Sequence, residues 1–445
     1  MNKYTPGKLI IEGKTKKVFE LSNDPTLCLL QSKDRITAGD GVKSHDLKGK
    51  AAISTDTTAK VFKLLNAAGI KTAFVKVMNE TAFIAHKCEM LPIEWVTRRL
   101  ATGSFLKRHT GVSEGYRFNP PLQETFFKDD SNHDPQWSEE QVISAGFKLN
   151  GLVIGKDEYD IMQRTALAVF EILERAWITR QCALIDMKIE FGINVNGEIM
   201  VADIIDSDSW RLWPSGDKRL MKDKQVYRNL ATVTEEDLNT VKHNFEWIAD
   251  QLNYLIPPPS SLVVILMGSP SDQEHCTQIA KYAKHLYLEV KFRVCSAHKG
   301  TQEVLRILAE YEGSFKKVVL IAVAGRSNGL GPVLSGNTSL PVINCPPLKP
   351  ENIAQDLWSS VNVPSGKLWI IRDHNFCLCY DKTIKYILFV GIGCTTVVYP
   401  ESAALAAAQI HALHDHLVWA RLRVKQLMNF IALKQADGKL RNLEI

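Results

Sequence analysis

The sequence predicts a two-domain protein of mixed α/β and α+β class, whose C-terminal domain is a doubly wound parallel sheet followed by C-terminal helices. Three observations lead to this prediction. Residues 184–216 alternate in hydrophobicity as a pair of strands, whereas strands and helices alternate from residue 262 onward. A proline-rich stretch, 257–261, separates the two patterns. We therefore divide the chain into a domain 1–256, a linker 257–261 and a domain 262–445.

The composition is that of a globular protein that binds small anionic molecules. The chain has 445 residues, of which 45% are hydrophobic and 23% charged, and its net charge is +5. This charge is too weak and too dispersed to favour nucleic acid as a partner. We expect no membrane association, because no apolar run approaches the length of a membrane span. Nine cysteines without framework spacing favour a reducing, cytoplasmic location.

Residues 8–20 read as a strand, a glycine turn and a second strand, with Lys14 and Lys16 near the turn. A flexible glycine and two ammonium groups could close over a triphosphate. The alternative is a pair of solvated turn lysines. The chain contains no GxxxxGK[ST] motif, which excludes a P-loop.

Residues 54–68 are predicted to form a helix, with Thr55 or Asp56 as its N-cap and Gly69 after its C-terminus. Further helices are predicted over 157–180 and 235–255. The polar, turn-rich residues 111–150 are interpreted as a long ordered loop that covers a site.

The segment 89–108 suggests an anion pocket formed by Arg98, Arg99 and Ser104, with Gly103 allowing close backbone approach. The alternative is a pair of exposed helix arginines. A second guanidinium, that of Arg211 in DSDSWRLWPSGD, offers a planar fork suited to a phosphate or carboxylate.

The stretch 184–216 carries the strongest chemical signal. Asn196-Gly197 predicts a two-residue type I′ turn, which would place Glu190 directly opposite Asp203. Two facing carboxylates repel unless a cation lies between them, and Mg²⁺ bound with a nucleoside triphosphate is the simplest cation. Lys188 shares the face of Glu190 and could reach a nucleotide phosphate. The alternative is a solvated hairpin whose acids meet Lys188.

Residues 262–345 show the βα rhythm of a doubly wound sheet, which binds ligands at the carboxyl ends of its strands. The predicted strands are 262–267, 288–294, 318–323 and 341–345, and a helix is predicted over 301–312. Three loops, GSPSD, SAHKG and AGRSNG, follow the first three strands and are therefore expected at one edge.

These loops carry candidate binding and catalytic groups. Gly268, Ser269 and Ser271 open a helix, where backbone N–H groups favour a phosphate, and Asp272 could hold ribose hydroxyls. His298, flanked by Ser296 and Lys299, is the candidate proton carrier, because histidine titrates near neutrality. The alternative is a surface histidine without a catalytic role.

Taken together, these segments resemble the animal bifunctional family that joins phosphoribosylaminoimidazole carboxylase to phosphoribosylaminoimidazole-succinocarboxamide (SAICAR) synthetase. The first half is similar to the synthetase in EGKTK, SKDRITAGD, GKAAIS, ETAFIA, EWVTRRLATGSFLKR, DPQWSEEQ, DMKIEFG and DSDSWRLWPSGD. The second half is similar to the carboxylase in GSPSD, SAHKG, AGRSNGLGPVLSGNT, HLVWARLR and LKQAD. The resemblance implies an ATP-grasp-like synthetase domain and a flavodoxin-like carboxylase domain, in a cytoplasmic enzyme of purine (IMP) biosynthesis.

For the synthetase half, the resemblance implies that Mg-ATP activates the C4 carboxylate of carboxyaminoimidazole ribonucleotide as an acyl phosphate, which L-aspartate then displaces. It implies Mg²⁺ at Glu190 and Asp203, and ATP at Lys14, Lys16 and Lys188, with Lys188 also catalytic. The residues that the resemblance assigns to the substrate are Arg98, Ser104, Arg211 and Asp208.

For the carboxylase half, the resemblance implies direct attack of aminoimidazole ribonucleotide on CO₂, without biotin or ATP. His298 is implied to transfer the proton. The residues implied to bind this substrate are Ser269, Ser271, Asp272, Ser296, Lys299, Gly325, Arg326 and Ser327. Such carboxylase domains form an octameric core, so the resemblance also implies a homo-octamer.

One block, 367–391, has no counterpart in the resembled family, in which Pro-Ser-Gly runs directly into a hydrophobic residue followed by Gly-Cys. The codons available at 366–367 and 390–391 allow splice donor and acceptor sequences. We therefore interpret the block as a translated, retained intron and expect a poorly packed protrusion. The alternatives are a metal knuckle of His374, Cys377, Cys379 and Cys394, or a lineage-specific β-hairpin. If the block impairs the carboxylase, the second half could instead act as a nucleotide-binding oligomerisation scaffold.

Overall fold

The computed structural model describes residues 5–38, 42–361 and 393–441. The chain forms two compact units: one runs to Ile256 and takes in the chain from Arg423 onward, and the other is Pro257–Leu422. The second unit thus begins at the linker predicted from sequence. Residues 367–391, with the intron, metal-knuckle and hairpin hypotheses placed on them, lie outside the described residues.

The first unit opens with a five-stranded antiparallel sheet. Its first part contains β1 (Pro6–Glu12), β2 (Lys16–Leu21), β3 (Leu27–Ser32), β4 (Arg35–Ala38), β5 (Lys43–Asp46), α1 (Lys50–Ala68), β6 (Phe74–Asn79) and β7 (Ala82–His86). The sheet order is β1-β2-β3-β7-β6, and β4 pairs separately with β5. The turn between β1 and β2 closes with Gly13 N donating to Lys16 O at 2.9 Å. The predicted strand, glycine turn and strand are confirmed.

Helix α1 begins four residues before its predicted start. Its N-terminus is capped from a distant segment, because Ala51 N donates to Asp34 Oδ1 at 2.8 Å. Such a cap leaves no local sequence signal, so the Thr55/Asp56 prediction was wrong. Gly69 adopts φ 103° after the last turn, as predicted.

The second sheet of this unit has six strands. Its elements are β8 (Cys88–Leu100), α2 (Ser104–Arg108), β9 (Arg117–Phe127), β10 (Gln136–Trp137), α3 (Glu139–Ser144), β11 (Lys148–Leu149), β12 (Leu152–Val153), α4 (Lys156–Ile178), β13 (Cys182–Asn194), β14 (Ile199–Ala202), β15 (Trp210–Pro214), α5 (Gln225–Asn229) and α6 (Glu235–Leu252). The order is β10-β9-β8-β13-β14, and β15 also pairs with β13. Strand β13 buries its apolar face, where Phe191 meets Trp95 edge to face at 5.7 Å between ring centroids.

The interpretation of residues 111–150 as a long loop was wrong, because β9 is an interior strand of the second sheet. Pro120 and Pro121 argued against a strand, since proline cannot donate to a sheet ladder. The pairing of β9 with β8 is irregular at this point: Leu122 faces Arg98, and the next pair is Arg117 with Leu100. The prolines therefore fall where the ladder is interrupted.

The β13–β14 hairpin exists, but its predicted register was wrong by one residue. Glu190 faces Ala202 rather than Asp203. The loop has three residues, 195–197, closed by Asn194 N donating to Glu198 O at 3.0 Å, and Gly197 takes φ 74°. The Asn194 side chain accepts the N–H groups of Asn196 and Glu198 and so favours this longer turn.

In its described residues, 257–361 and 393–422, the second unit contains one sheet of five parallel strands. Its elements are β16 (Ser261–Met267), α7 (Gln273–His285), β17 (Glu289–Val294), α8 (Thr301–Glu312), β18 (Lys317–Val323), α9 (Leu330–Gly336), β19 (Val342–Asn344), α10 (Ile353–Val361), β20 (Cys394–Thr396) and α11 (Pro400–His411), followed by α12 (His416–Arg441). The order β17-β16-β18-β19-β20 is the 2-1-3-4-5 order of flavodoxin-like sheets. The doubly wound prediction is confirmed.

The C-terminal helix differs from the sequence-based division of the chain, because α12 residues from Arg423 onward belong to the first compact unit. Arg423 Nε donates to Glu171 Oε2 at 2.7 Å, and Lys434 Nζ lies 2.8 Å from Asp157 Oδ1. Both partners are on α4. Across residues 5–38, 42–361 and 393–441, no helix combines the length and apolarity that crossing a bilayer requires.

Candidate functional site

A cavity of about 780 Å³ in the first unit is lined from both of its sheets. One wall comes from the β1–β2 turn and the other from β8, β13 and the segment 203–211. The residues that the resemblance assigned to this domain all line the cavity: Lys14, Lys16, Arg98, Ser104, Lys188, Glu190, Asp203, Asp208 and Arg211. Residues widely separated in the chain are thus brought to one place.

Glu190 and Asp203 both reach the cavity in spite of the shifted register. Asp203 leaves β14 with φ 65°, a left-handed conformation that is costly for a residue with a side chain. It forms an ion pair with Lys16, whereas Glu190 is paired with Lys188 at 2.6 Å and Lys128 at 2.8 Å. The two carboxylates therefore lie at the same wall of the cavity, and each forms an ion pair with at least one lysine.

Neighbouring opposite charges keep Glu190 and Lys188 ionised, although burial alone would favour their neutral forms. Burial raises the pKa of the Glu190 carboxyl, but Lys188, Lys128 and Lys16 outweigh it and lower the pKa to about 2. Burial likewise disfavours the charged Lys188, yet Glu190 and Glu94 raise its pKa above the usual value. Lys16 behaves differently, because burial dominates and lowers its pKa to about 8.

The donor set fits a hard divalent cation that is only partly held by protein. Within the described ranges no three His, Cys, Asp or Glu side chains converge as a metal cluster. Glu190 and Asp203 supply two carboxylates, and Mg²⁺ in nucleotide sites is usually held by one or two carboxylates plus phosphate oxygens and water. The chemistry of this wall therefore matches Mg²⁺ that arrives with a phosphate chain.

Two arginines and a serine form the opposite end of the cavity. Arg98 is buried, and donates to Glu124 at 2.5 Å and to Asp186 at 2.7 Å, with a third contact to Ser104 Oγ at 3.4 Å. Arg211 also donates to Asp186. Asp186 therefore holds both guanidiniums beside Ser104.

Glycine is required next to this pair. Gly103 has φ 60°, and a Cβ there would collide with the Arg211 guanidinium. Gly103 thus allows close approach of the Arg211 guanidinium, while the approach of an anion to its backbone stays a prediction. Arg99, by contrast, points elsewhere and pairs with Glu174 at 2.6 Å, so its assignment to the anion pocket was wrong. Neither Arg98 nor Arg99 is exposed or helical, which also excludes the alternative reading.

Sequence reasoning missed a second charged cluster in the cavity. Asp208 Oδ2 lies 3.4 Å from Lys50 Nζ and 3.1 Å from Lys224 Nζ, and its Oδ1 is buried without a hydrogen-bond partner. Burial opposes the charge of Asp208, but Lys50 and Lys224 lower its pKa to about 2. Lys50 lies in α1 and Lys224 just before α5, so no local motif connects them. Arg228 adds a further guanidinium to the cavity wall.

In the second unit, the predicted residues lie in three loops at the carboxyl edge of the sheet. Strands β16 and β18 are neighbours, and the chain leaves β16 toward β17 on the other side, so the loops after β16 and β18 flank the topological switch point. The loop after β16 is ordered by Ser269 Oγ, which accepts from Ser271 N at 3.3 Å. Asp272 is buried, and burial raises its carboxyl pKa.

The loops after β17 and β18 meet at His298. This side chain is exposed, and its ring lies so close to Gly329 that a Cβ there would come within 2.8 Å of Nε2. Ser296 is half-buried and Lys299 exposed beside it. In the loop after β18, Arg326 has φ 58° and is exposed, as is Ser327. The structure thus brings a titratable imidazole against the AGRSNG loop, as the sequence suggested.

These two sites define a class of protein: an ATP-grasp-like ligase unit joined to a flavodoxin-like unit with an imidazole at its switch-point edge. Comparison with known families agrees with this class. The sequence model of SAICAR synthetase matches residues 9–244, and that of AIR carboxylase matches residues 262–368.

Individual relatives span nearly the whole chain. A bifunctional phosphoribosylaminoimidazole carboxylase/phosphoribosylaminoimidazole succinocarboxamide synthetase of Drosophila melanogaster is 63% identical over 440 residues, which cover 99% of this chain and 97% of that protein. The Homo sapiens protein of the same description is 54% identical, with 99% and 98% covered. The crystal structure of phosphoribosylaminoimidazole-succinocarboxamide synthase from Ehrlichia chaffeensis is 28% identical with a TM-score of 0.50, covering 56% of this chain and 100% of that one.

The chain belongs to the family of bifunctional phosphoribosylaminoimidazole carboxylase/phosphoribosylaminoimidazole succinocarboxamide synthetases. It is an enzyme of purine biosynthesis with both activities, and the resemblance stated from sequence is confirmed. The scaffold alternative is not favoured.

Proposed function

We propose that the cavity of the first unit is the synthetase active site and that it binds Mg-ATP at its lysine-rich wall. The observation that carries this proposal is the convergence of Glu190 and Asp203 with Lys16, Lys128 and Lys188. Phosphoryl transfer needs positioned positive charge more than covalent chemistry, and this wall supplies it. Glu190 and Asp203 would hold Mg²⁺, which would offset the negative charge of the phosphates.

The lysines have separate tasks in this proposal. Lys188 remains charged because Glu94 and Glu190 hold it, so it can stabilise charge on the transferring phosphoryl group. Burial lowers the pKa of Lys16 to about 8, and the negative charge of a phosphate chain would raise this pKa again. Lys14 is exposed, and its Nζ lies 2.8 Å from Asp130 Oδ1. A phosphate of the incoming nucleotide would replace Asp130 as the partner of Lys14.

The ribonucleotide binds at the arginine end. Arg98, Arg211 and Ser104 present donors to its 5′-phosphate, while Asp186 keeps both guanidiniums in place. Asp208 lines the same cavity and accepts a polar group of the substrate through its unpaired Oδ1. With the ribonucleotide so placed, ATP phosphorylates its C4 carboxylate to an acyl phosphate, and the amine of L-aspartate displaces the phosphate.

The carboxyl edge of the second unit is the proposed carboxylase site. Ser269 and Ser271 hold the phosphate of aminoimidazole ribonucleotide and Asp272 its ribose, while Ser296 and Lys299 contact the substrate beside His298. The electron-rich C4 of the imidazole attacks CO₂, and His298 removes the C4 proton as the ring regains aromaticity. Gly325, Arg326 and Ser327 line the pocket for the base and CO₂. Neither biotin nor ATP takes part in this step.

A cytoplasmic homo-octamer, built through the carboxylase units, completes the proposal. One experiment tests the division of labour directly. Purified enzyme supplied with aminoimidazole ribonucleotide and bicarbonate should form the carboxylated ribonucleotide, and further addition of aspartate with Mg-ATP should convert it to SAICAR. Omission of Mg²⁺ should stop the second conversion only, and an ATP-dependent first conversion would contradict the proposed carboxylase chemistry.

A further inference from the structure

Asp356, on α10, is a buried carboxylate that neither proposed site uses. Its side chain and backbone are only 2% exposed. Its carboxylate accepts two backbone N–H groups, that of Arg326 at 2.5 Å and that of Lys349 at 3.3 Å. Arg326 lies in the loop after β18 and Lys349 in the loop after β19. One carboxylate therefore ties together two loops at the carboxyl edge of the sheet.

The loop after β18 is shaped around this carboxylate. Arg326 has φ 58°, a conformation that persists only when its surroundings hold it. A Cβ on the preceding Gly325 would lie 2.8 Å from Asp356 Oδ1, closer than real Cβ contacts come. The absence of a side chain at 325 and the left-handed turn at 326 together allow the Arg326 N–H to reach Asp356. A hydrogen bond to a charged acceptor is stronger than one between neutral groups.

The same helix holds the loop at a second point. Asn328 is buried, and its Nδ2 donates to Ser360 Oγ at 3.1 Å, while its Oδ1 accepts from Gly331 N at 3.0 Å. Asp356 and Ser360 are four residues apart and so share one face of α10. That face of α10 therefore holds residues 325–331 in place through hydrogen bonds. The His298 ring packs against this segment at Gly329.

We propose that Asp356 is a positioning residue for the carboxylation reaction, which holds the Gly325–Ser327 loop in the conformation that receives CO₂ and the imidazole base. The inference rests on the proposed placement of the carboxylase site at this loop. Asp356 touches no reacting atom. Its effect is exerted through the backbone of Arg326, because Arg326 lies in the loop that is proposed to receive CO₂ and the base.

The test compares Asp356→Ala, Asp356→Asn and the control Gln355→Ala, an exposed neighbour on the same helix. The alanine variant loses both hydrogen bonds, so kcat for carboxylation should fall by about 10- to 100-fold, the usual cost of misplacing a reacting geometry. KM for the ribonucleotide should change by less than kcat, because the loop after β16 holds the phosphate. Asparagine keeps one acceptor oxygen and should recover part of the loss. Gln355→Ala should match the parent enzyme.

A double-mutant cycle with Gly325→Ala tests the contact itself. Gly325→Ala alone should lower carboxylation, because the new methyl group meets Asp356 Oδ1. In the Asp356→Ala background that oxygen is gone, so the same change should cost much less, and the two effects should be strongly non-additive. Additive losses would overturn the proposed contact.

Other outcomes also decide the question. Normal kcat in Asp356→Ala, or a loss of ribonucleotide binding as large as the loss of kcat, would overturn the positioning role. The His298→Asn variant separates this failure from failure of the site assignment. If His298→Asn abolishes carboxylation while Asp356→Ala does not, only the inference about Asp356 is wrong. If both variants carboxylate normally, the site is elsewhere.

Discussion

Lys188 Nζ lies 2.6 Å from Glu190 Oε1, on the same face of β13. A residue proposed to bind ATP and a residue proposed to bind Mg²⁺ thus form an ion pair with each other. A bound Mg-nucleotide would separate them, with the carboxylate turning to the metal and the ammonium to phosphate. The pair keeps both groups charged and at the cavity wall before substrate arrives.

Replacing Glu190 by Gln should weaken the use of Mg²⁺ by the synthetase. The amide keeps the size of the side chain but loses the charge, so the Mg²⁺ concentration needed for half-maximal SAICAR formation should rise by at least about tenfold. Glu198→Gln, at the exposed end of the same hairpin, is the matched control. An unchanged Mg²⁺ dependence in Glu190→Gln would remove Glu190 from the metal site.

Binding of ATP should weaken at alkaline pH because of Lys16. Burial lowers the pKa of Lys16 from 10.5 to about 8, so this ammonium loses its proton as the pH rises through about 8. The phosphate chain is bound by the charged form, and KM for ATP should therefore increase above that pH. Lys16→Arg keeps its charge and should flatten this rise. A KM that stays constant to pH 10 in the parent enzyme would contradict the role of Lys16.

Arg211→Ala and Arg98→Ala should fail for different reasons. Loss of Arg211 leaves Asp186 paired with Arg98, so the protein should fold while KM for the ribonucleotide in the synthetase reaction rises by about 10-fold or more. Loss of Arg98 removes one guanidinium from each of two buried carboxylates, leaving Glu124 with Arg108 and Asp186 with Arg211, and should reduce the free energy of unfolding by about 1–3 kcal/mol. Denaturant titration and steady-state kinetics distinguish the two. Equal loss of stability in both variants would contradict this reading.

Deletion of 367–391 should leave carboxylation intact or improved and raise solubility, if the block is a retained intron. The AIR carboxylase sequence model matches only as far as residue 368, near the start of the block. The measurement is the carboxylation rate and soluble yield of the deletion variant beside the full chain. Loss of assembly on deletion, or genomic DNA without GT…AG boundaries there, would defeat the intron hypothesis.

Much of this fold was accessible from sequence because periodic patterns are local. The buried parallel strands β16, β18 and β19, the more exposed strand β17 and the helices α7 and α8 follow directly from apolar runs and turn residues, whereas helix α9 was not predicted. The alternation of β13 correctly placed Lys188 and Glu190 on one face and Phe191 on the other. The site residues that the resemblance assigned to the first unit all line one cavity, whereas Arg99, proposed from the residue pattern, does not.

The errors arose where a distant or side-chain interaction decides local structure. Asp34 caps α1 from another segment, and the Asn194 side chain selects a three-residue turn. The mistaken loop over 111–150 hid Lys128, which follows β9 and pairs with Glu190. Lys50 and Lys224 meet Asp208 only in the folded chain. Apart from the local turn at Asn194, these contacts join separate segments of the chain and have no local sequence pattern.

The central claim is that two separate sites on one chain perform two consecutive reactions, and a pair of single substitutions tests it most directly. With aminoimidazole ribonucleotide, bicarbonate, aspartate and Mg-ATP, Asp203→Asn should accumulate the carboxylated ribonucleotide and form no SAICAR. His298→Asn should carboxylate at least 10²–10⁴-fold more slowly but still convert supplied carboxyaminoimidazole ribonucleotide to SAICAR. Mixing the two variants should restore SAICAR formation from the first substrate. If either variant loses both reactions while folded, or loses neither, the assignment of the two sites is contradicted.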